Sequence, residues 1–199
     1  TDICAKTHQL QLADGRFLDY DRLVLATGAV PRQLEQTAGF RGVFVLRSPD
    51  DAVALRDAMK NHRTAVIIGG GYIGLEVAAS FSKAGLDVHV IEAAERLLAR
   101  VASPDISAFF MRLHQHNGVQ LHIGAAGTEI HQSDGQFSGV TLPDGQKIAA
   151  GILVVGIGVV PDSELAVIAG ATIGNGVLVD RRMRTSIENV YAIGDVALV

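Results

Sequence analysis

A chain of 199 residues with 22 glycines, one cysteine, no tryptophan, a net charge of −4 and 48% hydrophobic residues suits one large domain or two small ones around a sizeable core. That apolar content excludes disorder, the lack of a G-X-Y period excludes collagen, and a lone Cys4 excludes a disulfide framework or a multi-cysteine metal or iron–sulfur site within the chain. Lys and Arg scattered on an acidic balance argue against nucleic acid or an anionic membrane as partner, and no apolar run is long enough for a transmembrane helix.

Residues 7–31 read as a hairpin followed by a buried strand. Leu10 and Leu12 alternate with polar neighbours, Asp14-Gly15 supplies the tight turn, and Leu23 to Ala26 is an apolar run that Pro31 breaks. Asp50 to Met59 reads as a helix with Val53, Leu55 and Met59 apolar; Ser48 or Asp50 is its cap and Pro49 fits its start. Ala65 to Ile68 is a compact strand, followed by Gly69-Gly70-Gly71-Tyr72-Ile73-Gly74. A helix over Ile73 to Lys83 then places Ile73, Val77, Ala78 and Phe81 on one face, with Gly85 ending it. Val88 to Glu92 is a strand, Pro104 to His116 a helix and Val119 to Ile123 a strand. A meander over 127–148 turns at Asp134-Gly135 and Asp144-Gly145, and the buried strand Ile152 to Val155 leads to Gly156-Ile157-Gly158. Extended segments at Val177 to Asp180 and from Val190 towards Asp195 close the chain.

An internal repeat runs through this order. Residues 12–31 align without a gap on 142–161, with eight identities in twenty. Leu12, Asp14, Gly15, Leu23, Val24, Gly28, Val30 and Pro31 recur as Leu142, Asp144, Gly145, Leu153, Val154, Gly158, Val160 and Pro161. The second copy closes a domain that the loop at 69–74 opens, so the first copy is expected to close one opened the same way, upstream of Thr1. The chain lacks an initiator Met and a signal-peptide pattern, and it is expected to be a piece of a longer protein.

The glycine loop has the context that gives G-x-G-x-x-G meaning: strand before, helix after, a second strand, and an acid at that strand's end. Gly69 allows the tight turn, Gly71 the approach of a pyrophosphate, and Gly74 close packing of helix on strand. The N–H groups and dipole at that helix end favour an anion. Glu92 stands 18 residues after Gly74, where it can accept hydrogen bonds from both adenine-ribose hydroxyls. A 2′-phosphate would meet like charge there, which favours NAD over NADP; Arg96 and Arg100 temper this, and Arg100 could instead reach the pyrophosphate. Glu76, in the first turn and a half of the helix, is placed either by the dipole alone or near the nicotinamide. The seven histidines read as surface residues without metal-ligand spacing, so no metal is expected, and no Gly-x-Ser-x-Gly elbow supports hydrolysis.

Three motifs stand in order: Leu25-Ala26-Thr27-Gly28 with Pro31-Arg32, Gly69 to Glu76, and Tyr191-Ala192-Ile193-Gly194-Asp195. Together they resemble the FAD- and NAD(P)-dependent pyridine nucleotide-disulfide oxidoreductases across nearly the whole chain. Val45-Leu46-Arg47 with Asp50 to Ala52, Arg100-Val101 to Phe110, and Val155 to Pro161 resemble the ferredoxin-reductase branch, as do Asn175-Gly176-Val177 and Arg184-Thr185-Ser186.

The resemblance implies an α/β fold: a Rossmann-like parallel sheet with a β-meander as NADH-binding domain over 33–157. Incomplete pieces of a related FAD-binding domain would lie at 1–32 and 158–199. It implies an NADH site of Gly69, Gly71, Ile73, Gly74, Glu76, Glu92, Arg100 and Gly156, and FAD contacts from Gly28, Arg47 and Asp195. The implied cofactors are FAD and NAD, the implied partner an iron–sulfur ferredoxin, and the implied setting cytoplasmic. Hydride would pass from NADH to FAD and electrons singly onward, with no catalytic nucleophile or general acid. Family members run to roughly twice this length, so the chain alone is expected to bind NADH weakly, to bind little or no FAD, and to lack reductase activity. An NADH oxidase, a nitrite-reductase-type flavoenzyme and a regulatory NADH-binding flavoprotein like apoptosis-inducing factor stand as alternatives. The single cysteine excludes only the thioredoxin-reductase arrangement of the redox pair.

Overall fold

The computed structural model describes residues 2–199, which form two compact units: Pro31–Gly158, and the chain up to Val30 together with Val159–Val199.

In the unit from Pro31 to Gly158 the elements run β1 (Val43–Phe44), α1 (Pro49–Met59), β2 (Thr64–Ile68), α2 (Tyr72–Lys83), β3 (Asp87–Glu92), α3 (Pro104–His116) and β4 (Gln120–Ile123). A meander follows, β5 (Glu129–Ser133), β6 (Gln136–Thr141) and β7 (Lys147–Ala149), and then β8 (Ile152–Val155). The main sheet is parallel throughout, in the order β1-β8-β2-β3-β4. Its central strands β2 and β8 read as near-continuous apolar runs because both faces are covered. Ala65, Ile67, Val88, Val90, Ile152 and Val154 face Leu55 of α1 and Val77, Ala78 and Phe81 of α2. Val66, Ile91, Leu153 and Val155 face Phe137, Val140, Leu142 and Ile148 of the meander. Ala65, Val66, Ile67, Ile152, Leu153 and Val154 are all fully buried, and each large one contributes about 1.5–3 kcal/mol against exposure.

The helix starts follow from their caps. Ser48 caps α1: its Oγ accepts from Asp51 N–H at 3.2 Å while Asp51 Oδ2 accepts from Ser48 N–H at 2.7 Å. This leaves Asp50, the other candidate, as a plain first-turn acid. Val53 is exposed at 46% and only Leu55 of α1 is buried, because the helix sits on the sheet over a narrow line. Ile73 is also exposed, at 41%, while Leu75 is buried with Leu97 and Leu98, apart from the face of Val77, Ala78 and Phe81. The histidines correct the surface reading: His89 on β3 and His114 on α3 are buried, His114 stacked on Phe110. His89 stacks on His122 of β4, with Nδ1 and Nε2 3.0 Å apart, so one nitrogen donates and the other accepts.

The other unit has its own core of Ile3, Leu25, Ala166, Val177, Val190, Ala192 and Val196. An antiparallel ribbon of Asp2–Cys4, Gln9–Gln11 and Phe17–Asp19 precedes Leu23–Leu25, which pairs in parallel with Val190–Ala192. A short helix, Glu164–Ala169, falls where the sequence signalled no element, and Gly170 at φ +86 ends it. Pro31 does not simply end an extended run: Ala29–Pro31 is itself a short strand paired with Val159–Pro161, and the proline closes it where no ladder N–H is required.

The two repeat copies share their hydrogen bonds. Leu12 N–H donates to Arg16 O and Gly15 N–H to Leu12 O, as Leu142 does to Gln146 and Gly145 to Leu142. Gly28 and Gly158 both adopt left-handed φ, +74 and +103. Their carbonyls accept from Asp162 N–H and Arg32 N–H respectively, each at 2.9 Å and each from 130 residues-offset equivalents.

Candidate functional site

The chain runs β2→β3→β4 in one direction and returns to place β8 on the other side of β2. The carboxyl ends of β2 and β8 therefore flank a topological switch point, the place where open α/β sheets bind ligands. Gly69–Gly71 leaves β2 there, and Gly156 leaves β8.

Backbone packing sets two of these glycines, Gly69 and Gly74. Gly69 turns at φ +111, donates its N–H to Ile91 O at 2.8 Å, and would drive a Cβ into Gly156 O. A Cβ on Gly74 would overlap Gly69 O, so α2 lies on the loop with no room for a side chain. Gly156 donates to Ile68 O at 2.8 Å, and a Cβ on it would make only ordinary contact, 3.6 Å from the Gly74 backbone. Gly71 is different. It caps α2 with ordinary extended angles (φ −84, ψ −177), and a Cβ there would meet nothing within 4 Å. Nothing in the protein requires glycine at 71. The space before it, at a helix N-terminus with free N–H groups, has the shape and the donors for a pyrophosphate.

Glu92 is half-buried at the end of β3, where Oε2 accepts from Gly70 N–H at 2.6 Å and Oε1 from Ala94 N–H at 2.7 Å. It is therefore more than a solvated strand-end carboxylate: it ties the loop to the neighbouring strand. An ionised carboxylate accepts about four hydrogen bonds, so ribose hydroxyls still find acceptors on it. Arg96, left open by the sequence as a 2′-phosphate partner, donates Nη1 to Ala102 O and Nη2 to Ala99 O, both at 2.9 Å, within its own loop. The exposed Arg100 guanidinium lies against Gly158, with Nη2 3.3 Å from where a Cβ would stand. Glu76 is exposed on α2, beyond Ile73, and its carbonyl accepts from Ser80 Oγ. Gly69, Gly71, Ile73, Gly74, Glu76, Glu92, Arg100 and Gly156 thus all belong to one sheet end, its glycine loop and the segments leaving it. Sequence reasoning missed Leu97 and Leu98, which are buried behind the loop with Leu75. A buried leucine pair after the acidic strand end was the available signal.

The remaining candidates divide between the units. Register pairs Leu25 with Ala192, so Gly28 and Asp195, each three residues on, leave the same edge of that parallel pair. Gly194 and Gly28 are both left-handed, at φ +71 and +74, and Asp195 is exposed on the turn Gly194–Val196. A strand-end edge with two such turns and an acid fits the polyhydroxylated part of a flavin nucleotide. Arg47 lies in the other unit, exposed before α1, with its N–H on Asp51 Oδ2 at 2.9 Å. Among the described residues no group of three or more His, Cys, Asp or Glu is arranged to hold a metal ion, and no helix is long and apolar enough to cross a membrane.

Known proteins share this arrangement. The chain is 43% identical to rhodocoxin reductase of Rhodococcus erythropolis over 190 residues, 95% of this chain and 44% of that one. The crystal structure of a ferredoxin reductase for the CYP199A2 system of Rhodopseudomonas palustris superposes with a TM-score of 0.94 at 40% identity, covering 100% of this chain and 49% of the other. The covalent putidaredoxin reductase–putidaredoxin complex superposes at 0.90, also 40% identical, covering 99% and 49%. The chain spans about half the length of the relatives it matches. The family model of pyridine nucleotide-disulphide oxidoreductases matches residues 1–199, and the chain belongs to that family.

Proposed function

We propose that the unit from Pro31 to Gly158 binds NADH at the glycine loop, within a flavin-dependent reductase that passes the electrons to an iron–sulfur ferredoxin. The observation that carries this is Gly71, a glycine with no conformational or steric need of its own, facing open space at a helix N-terminus. Gly71 and its neighbours would donate N–H groups to the pyrophosphate, with Arg100 adding charge, and Glu92 would accept from the adenine ribose. Ile73 and Glu76 would flank the nicotinamide, and Gly156 would leave room for it across from β2. The chemistry of the bound pair is hydride transfer from the dihydronicotinamide to the flavin, then single-electron delivery to the acceptor. The chain's residues contribute position and exclusion of water; no proton transfer is asked of them.

Gly28 and Asp195 would hold the flavin nucleotide's backbone-facing and ribityl parts, with Arg47 assisting. Similarity to the rhodocoxin and putidaredoxin reductases supports the ferredoxin-type acceptor. With Glu92 at the ribose and Arg96 engaged in its own loop, NADH is the expected dinucleotide over NADPH.

The test pairs two substitutions. Gly71→Ala, in open space with ordinary angles, should leave the melting temperature essentially unchanged and weaken NADH binding about tenfold by occupying the pyrophosphate approach. Gly74→Ala should destabilise the fold by about 1–3 kcal/mol through overpacking. NADH affinity equal to wild type in Gly71→Ala, measured by calorimetric titration, would reject the site.

A further inference from the structure

The second glycine of the loop is gripped from both sides. Its N–H goes to Glu92 Oε2 at 2.6 Å, and its carbonyl accepts from Leu98 N–H at 2.9 Å. A trans peptide points its C=O and N–H in opposite directions. With Gly70 C=O held towards Leu98, the N–H of Gly71 in the same peptide faces away from that segment and towards the open side of the loop.

Leu98 makes this bond from a left-handed conformation, φ +54, which a bulky side chain keeps only where its surroundings over-determine it. Four things hold it. The side chain is 2% exposed and packed with Leu75 and Leu97. Leu97 lies under the loop, so close that a Cβ on Gly70 would sit 2.5 Å from its Cδ2, and its carbonyl accepts from the buried Ser107 Oγ at 2.6 Å. Arg96 closes the turn from the outside through Ala99 O and Ala102 O. Val101 and Ala102 N–H groups both return to Leu98 O at 3.0 Å.

We infer that Arg96 and Leu98 are positioning residues for the adenosine–pyrophosphate half of the ligand, with Arg96 fixing the turn that lets Leu98 orient the Gly70–Gly71 peptide. The inference rests on the dinucleotide reading above. It gives Arg96 a role different from meeting a 2′-phosphate: the guanidinium acts on the loop and not on the ligand.

Arg96→Met keeps the aliphatic stem and removes every donor, while Arg96→Lys keeps the charge and one donor group. The 199-residue chain and both variants are titrated with NADH, with ADP-ribose, and with reduced nicotinamide mononucleotide, which lacks the adenosine half. Arg96→Met should weaken NADH and ADP-ribose alike by about tenfold, Arg96→Lys by less, and reduced nicotinamide mononucleotide should be unaffected. Hydrogen exchange at the Leu98 amide should quicken in the same order. Unchanged ADP-ribose affinity in Arg96→Met overturns the inference and leaves the dinucleotide reading standing, and an equal loss for the mononucleotide overturns it as a general loosening. A wild-type chain that binds neither NADH nor ADP-ribose overturns the reading itself and this inference with it. Should Arg96→Met fail to fold, the same ADP-ribose-against-mononucleotide comparison on Arg96→Lys decides.

Discussion

Asp180 shows how far a single exposed side chain is shaped by its neighbours. Arg184 grips its carboxylate through Nε at 2.8 Å and Nη2 at 2.7 Å, and the backbone N–H groups of Arg184 and Arg182 add two more donors. These hold the carboxyl down at about 2, below the usual range. A depressed folded value means that this contribution is complete above about pH 4 and is lost as pH falls towards about 2. Asp180→Asn should flatten the acid limb of a urea-midpoint-against-pH curve; an unchanged limb would mean the pair carries no folding energy. Gly71 and Gly74 make the complementary case. They are indistinguishable in the sequence as members of one motif, but neighbouring backbone demands only Gly74.

At the scale of elements, α1 is held by local chemistry. Ser48→Ala removes the acceptor for Asp51 N–H and should cost about 1 kcal/mol, read as a lower melting temperature. Because Asp51 also accepts from Arg47 N–H, the cap sets where the chain enters α1 beside Arg47. Between β3 and β4, His122 stacks on His89. Burial pushes the His122 imidazole below its ordinary value, with a further push from His89 against a weaker opposing pull of Asp144, and burial does the same to His114. Depressed folded values mean that stability is fully present above about pH 6.5 and declines as pH falls below it. His122→Gln should reduce that decline between pH 7 and 5.5 in chemical denaturation, and an identical slope would remove His122 as its source.

Across the molecule, the proposed sites predict that the two units answer differently to cofactors. NADH at about 100 times its Kd should add about 2.7 kcal/mol to the unit that holds the loop. Flavin is expected to pass through gel filtration unbound. Co-elution of FAD with the chain, bleached on adding NADH, would overturn that expectation.

Periodicity and glycine punctuation made the parallel sheet legible, because strands covered on both faces, such as Ile67 and Leu153, must be apolar throughout. The cap placed the start of α1 because Ser48 acts on an N–H group three residues away; Ser103, which caps α3 in the same way, emerged only in the structure. The turns of the repeat were readable for the same reason: Asp14-Gly15 and Asp144-Gly145 specify their own backbone. Burial of His89 and exposure of Ile73 were not readable, since each depends on what another element places above it. Nor was the grip on Gly70, which comes from Glu92 and Leu98, 22 and 28 residues further along the chain. By itself the sequence determined what short-range sterics and hydrophobic period dictate: the central strands β2, β3, β4 and β8, the start of α1 and the glycine loop with its acid, but not the edge strand Val43–Phe44. The tertiary structure decided which glycine is free to face a ligand, which arginine is already engaged and which carboxylate ties the loop. Those are properties of non-local hydrogen bonds and close packing, which exist only once the chain is folded.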